Sequence, residues 1–476
     1  VAPPPQPLPP PALVNFVGRK AELTYFAASL AADHVAVIAG MPGVGKTALA
    51  AKLARQIAKS QDRIFWHQFH EGEGIDTIIW RLAGMLYRHG QRALWELLEG
   101  ARQSGGQPPP TEVLLDHLIQ QLRGRHYVIC LDDFHHAEED PLVEKAVERL
   151  RVLLAAGAVD LIVTSRRIPR ALKVLSFVPL GGLGKDETRD LLALHTVALA
   201  PDLVAELHQH TDGNAELLTL AAQALQRSRQ PAQVIKSLAE EDDIETFLLQ
   251  EVDKGLTSDE KGALSGVAAL LGYPGTRDAI EATLAGTSLK RTLLYLTNRF
   301  LLREQAGRRA PEYMIHAIVQ SFYYDLLSRR ERQEMHRRAG EYYEHEERDL
   351  LRAALHYQRA GDAARSAELA TGDIWGAINQ GQVRPLQSLL AALDPVQLEA
   401  ALRINVQLAW GEILAFLGDS QAAQAAYTKA VDGLKLLSPS PEAAEVEARI
   451  SLGMGTLLAN QTPEAALDWI ERGLAK

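Results

Sequence analysis

Apolar and polar positions follow two regimes along this chain. In the first, short, mostly apolar runs at residues 34–39, 63–69, 127–131 and 160–163 are separated by stretches whose large apolar residues recur every three or four positions. Runs of that length and apolarity suit strands buried on both faces of a parallel sheet, and the wider spacing suits the helices that cover it. Leu23, Phe26 and Leu30 mark one such helix, Leu49, Leu53 and Ile57 a second, Ile79, Leu82 and Leu86 a third, and Leu114, Leu115, Leu118 and Leu122 a fourth. Residues 100–110, rich in Gly, Gln and Pro, read as a loop. Phe177-Val178-Pro179-Leu180 reads as the last strand, and Gly181-Gly182 closes the layer. Strand and helix in alternation predict an α/β domain over residues 13–182.

From Leu183 onward only the helical spacing persists. Residues 183–236 predict a small helical bundle, with Leu191, Leu192 and Leu194, then Leu203 and Leu207, then Leu217, Leu218, Leu220 and Leu225 on successive helices. Residues 237–330 differ: helices at 264–271, 278–284 and 289–296 precede two short runs, 299–303 and 311–315, that flank Gln305-Ala306-Gly307-Arg308-Arg309. Three helices followed by a hairpin is the order of a winged helix. A helical arm over 331–400 contains a hairpin at 353–370. After it, Gly411, Leu414, Ala423, Tyr427 and Ala430 sit at the small and large positions of a tetratricopeptide-like hairpin. Gly453, Ala465 and Trp469 repeat most of that pattern 42 residues later, a longer step than the ~34 of the standard repeat. The predicted fold class is therefore multidomain, α/β plus α: a P-loop parallel sheet, a helical bundle, a winged helix, and α-helical repeats over 401–476. Residues 1–12, with seven prolines among Pro3-Pro4-Pro5, Pro7 and Pro9-Pro10-Pro11, read as a stiff linker. That linker, and helical patterning that continues up to Lys476, lead us to expect further repeats and an effector domain attached to the chain.

Composition narrows the partners. Across 476 residues the formal charge is −10, which argues against nucleic acid over a broad surface; the third helix of the winged-helix stretch carries only Lys290 and Arg291, at its start, and the wing has Arg308 and Arg309. The single cysteine, Cys130, forms no internal disulfide, as expected of a cytoplasmic protein. No stretch has the length and apolarity of a membrane span.

The chemistry is concentrated at Gly40-Met41-Pro42-Gly43-Val44-Gly45-Lys46-Thr47. This G-x-x-x-x-G-K-T follows an apolar strand and opens a helix, the context a phosphate-binding loop requires. Glycines allow the backbone to turn successive N–H groups toward phosphate oxygens, and the helix N-terminus adds partial positive charge. Lys46 is placed for the β/γ-phosphates and Thr47 for Mg²⁺. Gly40, Pro42, Gly43, Val44, Gly45, Lys46, Thr47 and Ala48 are the expected nucleotide contacts here. The strand at 127–131 ends in Asp132-Asp133: Asp132 is expected to hold Mg²⁺, and Asp133 to activate the attacking water. The strand at 160–163 leads into Thr164-Ser165-Arg166-Arg167, where Arg166, with Arg167 as the alternate, is expected to reach the γ-phosphate. His135 and His136 read as solvent-facing loop residues.

Phe16-Val17-Gly18-Arg19-Lys20-Ala21-Glu22-Leu23, placed just before the loop, resembles the "VGR-x-x-E-L" entry segment of AAA-like and signal-transduction ATPases. The order of phosphate loop, Asp132-Asp133, Thr164-Ser165-Arg166, helical bundle, winged helix and helical repeats is similar to that of the signal-transduction ATPases with numerous domains, the STAND class. The resemblance implies nucleotide contacts for Val17 and Arg19. Tyr313-Met314-Ile315-His316-Ala317 resembles the "MHD" segment, so the resemblance implies that His316 bonds the β-phosphate of ADP; Ala317 departs from the family's aspartate. Gly213-Asn214-Ala215 resembles the "G-N-P" turn, which would set Ala215, in place of proline, at the adenine.

What the resemblance implies is a regulatory ATPase. It would rest with ADP as a closed monomer, then take ATP and Mg²⁺ when an inducer binds the repeats, open, and self-associate. Slow hydrolysis would reset it. A turnover AAA-type ATPase, a repeat scaffold with a structural nucleotide, and a DNA-binding regulator are the competing expectations.

Overall fold

A computed structural model describes every residue except 1–3, 5–7, 15, 71, 104–108, 139, 173–178, 229, 242, 308–309, 439, 460–461 and 476. In chain order the first part comprises α1 (Lys20–Asp33), β1 (Val35–Ala39), α2 (Lys46–Ile57), β2 (Ile64–Gln68), α3 (Ile75–Arg88), α4 (Ala93–Gln103), α5 (Thr111–Leu122), β3 (Tyr127–Asp132), α6 (Pro141–Ala155) and β4 (Val159–Ser165). The helical bundle follows as α7 (Lys185–Leu194), α8 (Pro201–Thr211), α9 (Ala215–Arg227), α10 (Pro231–Leu238) and α11 (Ile244–Lys254). Next come α12 (Ser258–Ala268), β5 (Gly275–Thr276), α13 (Arg277–Thr283), α14 (Lys290–Asn298), β6 (Arg303–Ala306), β7 (Pro311–Met314) and α15 (Ala317–Asp325). The remainder is helical: α16 (Arg329–Tyr342), α17 (Leu350–Ala360), α18 (Ala363–Gly372), α19 (Ile374–Asn379), α20 (Val383–Ala391), α21 (Ala400–Phe416), α22 (Ser420–Leu434), α23 (Pro441–Leu458) and α24 (Pro463–Leu474).

These elements form two compact units. One holds residues 5–71 and 119–335, the other residues 1–4, 72–118 and 336–476. In the first unit the four long strands are parallel in the order β1-β4-β3-β2. Leu180 adds a parallel bridge to Gly40 outside β1, its N–H donating to the Ala39 carbonyl at 2.8 Å. Residues 177 and 178 of the expected last strand lie outside the described residues. Every residue of β3 and β4 is buried, as a sheet covered on both faces demands. Ile38, Leu49, Leu53, Trp66, Val128, Cys130 and Ile162 form the core between sheet and helices. Cys130 is 1% exposed, and burial pushes its thiol well above its ordinary pKa.

Within the same unit, β5, β7 and β6 make a three-stranded antiparallel sheet in that order, beside α12, α13 and α14. The expected hairpin strand at 299–303 begins only at Arg303. Residues 300–302 form the exit of α14, with Phe300 at φ 59° and Leu301 and Leu302 turned into the core. The wing arginines Arg308 and Arg309 lie outside the described residues. Leu194, counted among the apolar residues of its helix, is exposed.

The second unit joins α3 and α4 to the arm and the repeats. The expected loop at 100–110 is helical as far as Gln103, because Leu94, Trp95 and Leu98 bury one face of α4 and outweigh the ~1 kcal/mol that Gly100 costs in a helix. Thr77 donates its hydroxyl to the Gly381 carbonyl, and the Val383 N–H donates to Asp76 at 3.2 Å. In the repeats, Tyr427 of α22 is 1% exposed. Its ring lies where a Cβ on Gly411 would meet it at 2.4 Å and one on Gly453 at 2.7 Å. The small-large-small spacing in the sequence is thus three helices closing on one aromatic ring. Among the described residues no helix is long and apolar enough to cross a membrane.

Candidate nucleotide site

The site lies at the carboxyl ends of β1, β3 and β4, all in the first unit. Gly43 (φ 79°) and Gly45 (φ 96°) adopt the left-handed backbone that side-chain-bearing residues avoid. Gly45 precedes α2 and offers no side chain to cap it, so the first N–H groups of that helix face the loop without an internal partner. Lys46 is 8% exposed and donates Nζ to the carbonyls of Gly40 (3.1 Å) and Met41 (3.0 Å). Burial lowers its pKa, while the charges of Asp133 and Asp132 raise it.

Asp132 is fully buried. Its Oδ1 accepts the hydroxyls of Thr164 at 2.5 Å and Thr47 at 3.0 Å. Its Oδ2 has no hydrogen-bond partner. Burial first, and the neighbouring Asp133 second, push this carboxyl up to about 7. A doubly charged cation beside Oδ2 would satisfy the orphan oxygen and hold the carboxylate ionised, so Asp132 and Thr47 fit Mg²⁺. Beyond this pair, no group of three or more His, Cys, Asp or Glu able to hold a metal occurs among the described residues.

Asp133 takes a left-handed conformation (φ 53°), which turns it out of the strand. Its N–H donates to Thr164 Oγ1 at 3.0 Å, and its Oδ2 accepts from Gln68 Nε2 at 3.1 Å. The sequence alone assigns no role to Thr164 or Gln68. The register that pairs Gln68 with Asp132 brings the amide there, and a polar residue ending a buried strand was the available clue. Arg166 is exposed just past β4; its charge reaches Lys46 and His135, lowering both pKa values. Arg167 instead pairs with Glu138 at 3.1 Å. His135 is half-buried rather than solvent-facing. Both its ring nitrogens lack partners, and burial pushes it down to about 4.

Three further segments close on the loop. The first is Arg19, 4% exposed. Its guanidinium donates to the carbonyls of Val44 (2.9 Å), Gly181 (2.8 Å) and Gly182 (3.3 Å) and to Glu22 (2.7 Å), and its N–H donates to Glu187 (2.7 Å). Its donors are thereby taken up by protein groups that join loop, hinge and bundle. Val17, two residues before, is half-buried. The second is the start of α9. Asn214 Nδ2 donates to the Pro42 carbonyl at 2.9 Å, its Oδ1 caps the helix, and the Glu216 N–H donates to the Gly43 carbonyl at 3.0 Å. Ala215 lies between them, half-buried. The third is His316, ahead of α15. Its Nδ1 lies 3.7 Å from Glu216 Oε1. Burial lowers its pKa, with the charges of Asp133 and Lys46 close enough to act on it.

Glycine backbone, buried lysine, hydroxyl and buried carboxylate make a site for the phosphates of a nucleotide with Mg²⁺. Residues 15–163 match the AAA ATPase domain family, so the chain carries an AAA-type ATPase domain. Over its length it is similar to the signal transduction ATPase with numerous domains (STAND) protein with a tetratricopeptide repeat sensor PH0952 from Pyrococcus horikoshii. The identity is 18%, the match covers 98% of this chain and 77% of that one, and the TM-score is 0.58. The likeness is one of fold: a P-loop parallel sheet followed by many helices. The Orc1 protein of Aeropyrum pernix in complex with DNA matches at 19% identity over 65% of this chain and 93% of that one, with a TM-score of 0.34. The Walker-type ATPase paby2304 of Pyrococcus abyssi matches at 14% over 65% and 95%, also with 0.34. These last two superpositions are too loose to bear on this chain. No curated protein matches the sequence.

Proposed function

We propose that this chain is a nucleotide-controlled switch, resting with ADP and activated when ATP with Mg²⁺ replaces it. The observation that carries the reading is a run of contacts through three modules: Asn214 and Glu216 of the bundle bond the loop carbonyls of the sheet domain, and His316, from beyond the hairpin, lies beside Glu216. A diphosphate held by all three stabilises their assembly by as much as it prefers that arrangement over an open one. ATP with Mg²⁺ favours opening by as much as it prefers the open arrangement to the closed one. Bound Mg²⁺ supplies charge neutralisation for the phosphates. Lys46 and the loop amides orient them, and Asp133, held by Gln68 and Thr164, takes the proton of the attacking water.

In this reading the repeats bind the inducer, the resting form is an autoinhibited monomer, and the opened form self-associates. Denaturing the purified protein and identifying the nucleotide released tests it. Stoichiometric ADP, lost in Lys46→Ala, is the expected result. Protein free of nucleotide that turns ATP over rapidly without any partner would overturn the switch in favour of a turnover ATPase.

A further inference from the structure

Glu216 has a position that capping alone does not explain. An acid in the first turn of a helix is favoured by the helix dipole, and the Glu216 backbone is engaged by the Gly43 carbonyl and the Asn214 cap. Its side chain, however, is mostly buried and lies 3.7 Å from His316 Nδ1, itself a buried nitrogen with no hydrogen-bond partner. That separation is an ion-pair distance rather than a hydrogen bond, so the attraction depends on the charge of His316. The other charged groups acting on His316 are Arg303 of β6, Asp133 beyond β3, and Lys46 of α2. Glu216 is the largest electrostatic influence among them, and it favours the protonated ring.

We propose that Glu216 is the positioning residue that holds His316 against a bound diphosphate, its carboxylate facing Nδ1–H so that Nε2–H faces the phosphate. This rests on the ADP-switch reading of the same site. The chemistry follows from the two nitrogens. With Nδ1–H committed to the carboxylate, Nε2 donates to phosphate only when the ring carries both protons. Without a phosphate, burial keeps His316 below its ordinary pKa, and the ring is neutral near pH 7. Between a carboxylate and a diphosphate it gains a proton, so ADP binding takes one up. The sign is fixed: ADP is held more tightly as pH falls through the pKa of the bound state, and the extra grip is lost as pH rises above it.

The test is dissociation of a fluorescent ADP from the full chain, chased with excess unlabelled ADP across pH 6 to 9, roughly the range over which imidazole changes charge. The wild-type rate should rise with pH, and His316→Ala should be fast and pH-independent. Glu216→Gln, which keeps the backbone contact and side-chain size, should release ADP about tenfold faster at pH 7 and move the midpoint down by about one unit. Glu216→Asp should recover part of the dependence, and Glu216→Gln should add nothing in the His316→Ala background. An unchanged rate and midpoint in Glu216→Gln would overturn the proposal alone. So would an equal acceleration with and without His316, since Glu216 would then act through α9 or the loop. If His316→Ala releases ADP at the wild-type rate, the three-module reading itself fails, and this inference with it. Melting of each variant separates these outcomes from loss of fold.

Discussion

Replacing Arg19 by alanine should loosen the first unit and its hold on nucleotide together. The side chain is almost wholly buried and serves three carbonyls and one carboxylate. Gly181 is exposed and Gly182 half-buried, so water can replace the guanidinium at those two. The Val44 carbonyl loses its partner in a dry place. A buried acceptor left unsatisfied costs ~1–3 kcal/mol, and loss of one partner from a buried charged network ~3–5. Allowing for water at the hinge, we expect ~3–4 kcal/mol, a fall of about 6–8 °C in the unfolding midpoint at ~2 °C per kcal/mol for a unit of this size. Residue 19 also sits at φ 60°, where a Cβ is strained by roughly 1–2 kcal/mol. Arg19→Gly should therefore melt above Arg19→Ala although both lack the guanidinium. Differential scanning calorimetry with nucleotide content measured on the same samples is the assay. Arg19→Ala within about 1 °C of the parent, with full nucleotide, would refute the estimate and show the carbonyls satisfied another way.

Asp133→Asn should retain nucleotide but slow single-turnover phosphate release at least ~100-fold; a parental rate would move the base elsewhere. Gly411→Ala would set a methyl 2.4 Å from the Tyr427 ring, and the second unit should lose ~1–3 kcal/mol in thermal melting monitored by circular dichroism. An unchanged melt would mean that α21 and α22 part without cost. In that unit His356 is fully buried 3.0 Å from His336, and burial followed by the neighbouring histidine holds its pKa well below the ordinary 6.5. The unfolded chain takes up that proton more readily, so stability is full above about pH 6.5 and falls by ~1.4 kcal/mol per pH unit and proton below it. Chemical denaturation at a series of pH values should show this slope, flattened in His356→Phe.

The phosphate loop was legible because its backbone admits few residues: Gly43 and Gly45 occupy conformations that a side chain resists. The acidic strand was legible because a buried parallel strand tolerates little besides apolar residues until its ligand end. The ring of Tyr427 between two glycines left a spacing that survived the long connection between repeats. What supports these groups was hidden. Thr164 and Gln68 act only through strand register, which a single chain does not display. The left-handed turn at Phe300 interrupts an apolar run that otherwise resembles a strand. Nor does sequence order reveal that residues 72–118, lying between two strands of the sheet, share a unit with the repeats. That grouping comes from apolar faces on α3 and α4, whose partners are hundreds of residues away.

The bonds that Asn214 and Glu216 make to the Pro42 and Gly43 carbonyls bear on the opposite edges of the same peptide planes. Each carbonyl is conjugated with the N–H that follows it, at Gly43 and at Val44. Accepting a hydrogen bond draws electron density toward oxygen and makes that N–H a more acidic donor. A helical bundle seated on the outside of the loop thus polarises the amides that meet an anion on the inside, with no atom displaced. By reciprocity, an anion on those amides makes the carbonyls better acceptors and draws the bundle in. Resonance across two amide groups thus couples phosphate affinity to bundle docking.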